Sequence, residues 1–111
     1  MTAFRLTTDL ADAGRVVAVH GDLDIATVPA LQAALAEVAA EGHDCMLSLA
    51  ACTFIDSSGT RTIALAAEQF SAAGRRLTLH CPTDNTPVRF VIDLVGLAEV
   101  VSVEPGDPSP A

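Results

Sequence analysis

The sequence predicts an α/β domain: a small mixed, largely parallel sheet of four or five strands flanked by helices, in the order β-β-α-β-α-β-α-β. Short runs of β-branched and apolar residues alternate along the chain with segments whose apolar residues recur at helical spacing. The 111 residues suffice for one core, and half of them are hydrophobic, which excludes a chain that is disordered throughout. One domain over residues 1–103 is therefore expected.

The first half of the chain supplies a hairpin, a helix and a central strand. Residues 15–21 form a β-branched run between glycines, and residues 2–7 are predicted to pair with them as a hairpin. A helix is predicted over 28–41, between Thr27 as its N-cap and a glycine that ends it. Residues 45–50 are apolar enough for a strand at the centre of the sheet.

The second half repeats the alternation of helix and strand. A helix is predicted over 57–73 and a strand over 76–80, where polar and apolar residues alternate. A third helix is predicted over 86–95, with proline in its first turn and glycine after its last. Residues 99–103 are expected to form a short last strand. The tail 104–111 is acidic and rich in proline, so we expect it to be disordered.

Charge and cysteine usage exclude several classes of function. The chain has 14 acidic and six basic residues, for a net charge of −8, and lysine is absent because all six basic residues are arginine. Such a chain repels phosphate backbones and anionic lipid, so neither direct nucleic-acid binding nor membrane binding is expected. Cys45, Cys52 and Cys81 contain no C-x-x-C pair and are predicted to be buried free thiols in a reducing cytoplasm. Neither a signal peptide nor a membrane span is recognisable in the sequence, and no spacing of ligands suggests a metal or another cofactor.

A strand-to-helix junction carries the segment Asp56-Ser57-Ser58-Gly59. Asp56 or Ser57 can cap the helix that follows, and a capped helix start is the simplest interpretation. The free N–H groups and the positive end of the helix dipole would also favour an anion attached to either hydroxyl. The residues alone therefore leave two interpretations open, a cap or a phosphorylation site, and do not decide between Ser57 and Ser58.

A second polar segment, Gly21-Asp22-Leu23-Asp24, directly follows a predicted strand. Because the carboxyl ends of parallel strands gather at one edge, Asp22 and Asp24 are expected near Ser57; a solvated turn is the alternative. A serine hydrolase is not expected, since the G-x-S-x-G elbow is absent and His20 and His80 lie on predicted strands. We expect a protein that is not an enzyme.

An ordered set of motifs runs along the chain: Gly-Asp-Leu-Asp, then Phe-Ile-Asp-Ser-Ser-Gly, then Pro-Val with a later Gly-Leu. In this order they resemble the STAS domain of bacterial anti-sigma factor antagonists, and the resemblance covers about residues 4–103. The resemblance implies that the unphosphorylated chain binds an anti-sigma factor that is also a serine kinase, and so frees a sigma factor. It implies that phosphorylation of Ser57 weakens this complex and that a PP2C-type phosphatase reverses the modification. Asp24 matches the acidic residue that the family places near the phosphorylated serine.

The resemblance also implies a partner-binding surface, made of Asp22, Asp24, Asp56, Ser57, Ser58, Gly59, Thr60 and Arg61. The family usually continues Ser-Gly with Leu-Gly, whereas this chain has Thr60-Arg61. Arg61 can pair with phosphorylated Ser57, pair with Asp56, or alter which kinase binds. The alternative function is a STAS scaffold subunit of a stress-signalling or lipid-transport assembly, without a phosphoryl switch.

Overall fold

A five-stranded mixed sheet, in the spatial order β1-β2-β3-β4-β5, forms the centre of the molecule in the computed structural model, which describes residues 3–11 and 14–104. The elements are β1 (Arg5–Ala11), β2 (Gly14–Leu23), α1 (Val28–Ala40), β3 (Cys45–Ile55), α2 (Ser57–Ala72), β4 (Leu77–His80), α3 (Thr86–Val95), a 3-10 helix (Leu97–Glu99) and β5 (Ser102–Glu104). The β1–β2 pair is antiparallel and the other pairs are parallel. The predicted α/β class and element order are confirmed.

The core lies between the sheet and the apolar stripes of the helices. The helices bury residues at helical spacing: Leu31, Leu35 and Val38 from α1, Ile63, Ala66 and Phe70 from α2, and Val88 and Ile92 from α3. The strands contribute the fully buried residues Val17, Val19, Leu47, Leu49 and Leu79. Burial of each large aliphatic side chain contributes about 1.5–3 kcal/mol, so these stripes determine how the helices dock. All three cysteines are buried and free, as predicted.

The hairpin differs from its prediction. Strand β1 runs over Arg5–Ala11 and pairs through to Gly14, whereas the prediction placed it at residues 2–7, whose first residue lies outside the described part of the chain. The prediction stopped short of Asp9 and Leu10 because the sequence there lacks the apolar pattern of a central strand. An edge strand tolerates a polar residue such as Asp9 and an exposed one such as Leu10.

Strands β2 and β3 both extend farther than predicted. The prediction ended them at residues 21 and 50, but they end at Leu23 and Ile55. Two register shifts, after Ala18 and after Gly21, each place an extra residue in β3. These bulges break the period-2 alternation on which the prediction depended.

The last strand is also displaced from its prediction at 99–103. Gly96 adopts φ +69° and ends α3, and the chain then continues as a 3-10 helix, in which the Val100 N–H donates to the Leu97 carbonyl at 3.0 Å. Strand β5 therefore begins only at Ser102 and includes Glu104. The rest of the predicted tail, 105–111, lies outside the described residues.

A side chain closes one edge of β3. Strand β4 pairs with β3 only as far as Ser48, so in the described part of the chain the second half of β3 has no strand on that side. The Asn85 amide donates hydrogen bonds of 2.9 Å to the carbonyls of both Leu49 and Cys52. The segment that leads into α3 thus covers this edge of β3 between Leu49 and Cys52.

Candidate functional site at the carboxyl edge of the sheet

The carboxyl ends of β2 and β3 meet at the position where α2 begins. Leu23 and Ile55 are partners across the two strands, and the Asp56 N–H donates to the Leu23 carbonyl at 3.2 Å. The structure therefore brings the segment that contains Asp22 and Asp24 beside Asp56, the residue that precedes α2.

Asp56 is the N-cap of α2, one of the two predicted possibilities. Its Oδ1 accepts hydrogen bonds from the Gly59 N–H at 3.0 Å and from the Ser58 hydroxyl at 2.5 Å. Desolvation raises the pKa of the Asp56 carboxyl, but the hydrogen bonds from Ser58 and Gly59 outweigh it and hold that pKa below its usual value. The carboxylate is thus ionised at neutral pH and occupied by the start of its own helix.

The two adjacent serines differ in how their hydroxyls are used. Ser57 is the first residue of α2 and is exposed, and within the described part of the chain its hydroxyl has no hydrogen-bond partner. Ser58 is half-buried and donates its hydroxyl hydrogen to Asp56. Thr60 is buried and donates to the Ser57 carbonyl at 3.0 Å. Of the two serine hydroxyls, only that of Ser57 is both accessible and unengaged.

Gly59 permits the close approach of α2 to the strand ends. A Cβ at this position would lie 2.7 Å from Ile55 Cγ1 and 3.1 Å from Leu23 Cγ. Carbon atoms in van der Waals contact are about 3.5–4.0 Å apart, so a larger residue would push the helix start away from β2 and β3. The glycine thereby positions Ser57 against the edge.

The acidic segment is held by its own hydrogen bonds. Asp22 lies within β2, not in the predicted turn, and its Oδ1 accepts a 2.6 Å hydrogen bond from the Thr53 hydroxyl. The Asp24 carboxylate accepts from the Ala26 N–H at 3.0 Å. Thr27 is the N-cap residue of α1, as predicted, but its side chain makes no capping hydrogen bond. Its hydroxyl instead donates to the Asp22 carbonyl and accepts from the Asp24 N–H, both at 2.9 Å. The loop therefore presents Asp24 in a fixed conformation.

Two exposed apolar residues lie at this edge and were not predicted from the sequence as part of the site. Ile25 is 78% exposed in the loop after β2, and Phe54 is 48% exposed near the end of β3. An isoleucine between Asp24 and Ala26 is a weak signal, since a single apolar residue is normally assigned to the core or ignored. Asp24, Ile25, Phe54, Ser57 and Arg61 are referred to below as the carboxyl-edge surface.

Arg61 is exposed and lies one helical turn beyond Ser57, on the same side of α2. The two ion pairs among the described residues join Arg15 to Glu41 and Arg89 to Asp93, so Arg61 pairs with no carboxylate there, Asp56 included. The surface thus has an unpaired cation beside an unengaged hydroxyl.

Over residues 3–11 and 14–104, no three His, Cys, Asp or Glu side chains converge closely enough to hold a metal ion. Nor does any helix in those ranges have the length and apolar character needed to cross a membrane.

Comparison with known proteins places this geometry in context. A family model described as "Mlab, STAS domain" matches residues 6–102. No curated protein sequence matches the chain. Among solved structures, an anti-sigma factor antagonist from Mycobacterium paratuberculosis is 26% identical, with a TM-score of 0.82 over 94% of this chain and 87% of that one.

Two further structures show the same fold at lower identity. The anti-sigma factor antagonist SpoIIAA in its unphosphorylated form is 20% identical, with a TM-score of 0.69 over 95% of this chain and 90% of that one. The Bacillus cell fate determinant SpoIIAA in its phosphorylated form is 22% identical, with a TM-score of 0.66 over 92% and 91% of the two chains. At these identities the likeness shows the fold alone.

Proposed function

Because this chain belongs to the STAS domain family, we propose that it is a cytoplasmic anti-sigma factor antagonist that is switched by phosphorylation of Ser57. In the unphosphorylated form it binds an anti-sigma factor, itself a serine kinase, through the carboxyl-edge surface and so releases a sigma factor. A PP2C-type phosphatase restores the binding form. The chain regulates transcription by this contact and catalyses no reaction itself.

The observation that carries the proposal is the difference between the two serine hydroxyls. A kinase needs a hydroxyl that it can reach, and Ser57 is exposed with its hydroxyl unengaged among the described residues, whereas Ser58 is held by Asp56. In the transfer, the γ-phosphoryl group of ATP forms a bond to Ser57 Oγ as its bond to the β-phosphate oxygen breaks. ADP leaves, and the hydroxyl proton passes to solvent or a base of the kinase.

The modification suits the start of α2 but opposes docking. A phosphate adds about −1.5 to −2 charges at a helix N-terminus, where the dipole favours an anion, so the fold persists. The same dianion would be added to the edge of the sheet that also carries the exposed Ile25 and Phe54, and apolar residues contribute to binding only when water is removed from them. Desolvation of a phosphate there costs several kcal/mol, and each loss of about 1.4 kcal/mol weakens binding tenfold. Phosphorylation is therefore expected to reduce the affinity by orders of magnitude.

The test uses the candidate anti-sigma factor kinases of the source genome, each produced together with the full chain. Intact-protein and peptide mass spectrometry should show an addition of about 80 Da on Ser57. In pulldown, Ser57→Ala should be retained constitutively and Ser57→Asp poorly. Ser58→Ala is the matched control, because it removes only the bond to Asp56 and should leave Ser57 phosphorylatable. Equal retention of both Ser57 variants and an unchanged mass would contradict the switch and favour the scaffold alternative.

A further inference from the structure

We propose that Arg61 is an intramolecular counter-ion for the phosphate on Ser57, which it holds on the surface of α2 and protects from hydrolysis. This role for Arg61 depends on the proposed phosphorylation of Ser57. It makes Arg61 the residue that sets how long the modified state of this chain persists.

The positions of the two residues allow the contact. Ser57 and Arg61 are four positions apart on α2, a spacing that places their Cβ atoms about 5–6 Å apart on one face of a helix. Both residues are exposed, so neither side chain has to break a packed contact to meet the other. The same spacing closes in α3, where Arg89 Nε lies 3.9 Å from Asp93 Oδ1.

No acidic residue lies one helical turn from Arg61, and Glu68, the acidic residue of α2, is seven positions away. The residues three and four positions away on either side are Ser57, Ser58, Ala64 and Leu65. Asp56, the nearest carboxylate in sequence, is engaged by Ser58 and Gly59 and is not within ion-pair distance of Arg61. The guanidinium therefore gains a helical partner only when Ser57 carries a phosphate.

Arginine suits this role because its planar guanidinium can donate two parallel N–H···O hydrogen bonds to a phosphate. A cation held near a phosphate favours the dianion and so lowers its second pKa, which is ordinarily about 6. The paired oxygens are also less available to the cationic groups with which a phosphatase must hold the phosphate. In hydrolysis, water attacks phosphorus, the bond from phosphorus to Ser57 Oγ breaks, Oγ takes up a proton, and inorganic phosphate leaves. Two measurable consequences follow, on the pKa of the phosphate and on the rate of dephosphorylation.

The experiment installs phosphoserine at position 57 of the full chain during translation, by suppression of an amber codon, so that no kinase is needed. The parent is compared with Arg61→Gln and Arg61→Lys. Arg75→Gln is the matched control, because it removes an equal charge from an exposed arginine beyond the far end of α2. The ³¹P resonance is titrated with pH, and phosphate release by a PP2C-type phosphatase is timed.

We expect Arg61→Gln to raise the second pKa of the phosphate by about 0.5 unit and to speed phosphate release several-fold. The difference in pKa between the parent and Arg61→Gln should shrink in about 1 M salt, because salt screens the ion pair. Arg61→Lys should fall between the parent and the glutamine variant, and Arg75→Gln should match the parent. Identical titrations of the parent and Arg61→Gln would overturn the proposal, as would an equal shift in Arg75→Gln. Since the phosphate is installed without a kinase, these outcomes are independent of whether a kinase modifies Ser57.

Discussion

Replacement of Gly59 by alanine tests whether the start of α2 is fixed by close packing against the strand ends. The added Cβ would lie 2.7 Å from Ile55 Cγ1, and Ile55 and Leu23 are only 1% and 0% exposed, so neither can move aside freely. Overpacking of a filled site costs about 1–3 kcal/mol. Alanine recovers about 1 kcal/mol of helix propensity. We therefore expect a net loss of about 1 kcal/mol in the free energy of unfolding.

The measurement is urea denaturation followed by far-ultraviolet circular dichroism, because the chain has neither tryptophan nor tyrosine. Propensity alone predicts a gain of about 1 kcal/mol, so the two explanations differ by about 2 kcal/mol. In an Ile55→Ala background the space beside the new Cβ is vacated, and Gly59→Ala should become about 1 kcal/mol less costly. If Gly59→Ala stabilises the protein, or costs the same in both backgrounds, the packing explanation is refuted.

Two further predictions concern titratable groups. The pKa of Asp56 is lowered in the folded state from its ordinary 3.8, so its contribution to stability is present above that value and is lost as the pH falls through the lower folded-state pKa. Asp56→Asn should be less stable than the wild type at pH 7, and this difference should shrink as the pH falls and the wild-type carboxyl becomes neutral. Asp56→Ala, which removes the cap, should lose about 1 kcal/mol at pH 7. Equal acid sensitivity of the wild type and Asp56→Asn would contradict the prediction. Burial raises the pKa of Cys45 to about 12 and that of Cys52 to about 11, and it also raises the pKa of Cys81. A thiol reagent at pH 8 should therefore label the protein only after unfolding. Rapid labelling of the native protein would contradict this prediction.

The element order was predictable from the sequence because the helices keep a helical apolar period over several turns. In α1, Leu31, Leu35 and Val38 form a stripe that no strand pattern would produce. The ends of β2 and β3 were not predictable, since the bulges in β3 and the polar Asp22 and Thr53 break the alternation where the sheet reaches solvent. Tertiary pairing decides those boundaries.

The candidate site was only partly predictable for a related reason. The sequence places Ser57 and Ser58 equally well before a helix, and only the three-dimensional arrangement shows that Asp56 engages the second hydroxyl. Thr27 has the residue type and position of an N-cap, yet its hydroxyl oxygen accepts from the Asp24 N–H in the loop after β2 and not from the first turn of α1. Ile25 and Phe54 were missed because composition cannot distinguish an apolar residue at a surface from one in the core.

The Asn85 contact has a consequence for association between chains. As far as Ser48, β3 has a neighbouring strand on both sides, and no exchange of a single side chain removes those two ladders. At Leu49 and Cys52 one amide group satisfies two carbonyls, and a one-residue change would free both. An unpaired strand edge is a template for a strand from another molecule. The Asn85 side chain therefore withholds this stretch of the β3 edge from pairing with a strand of another molecule.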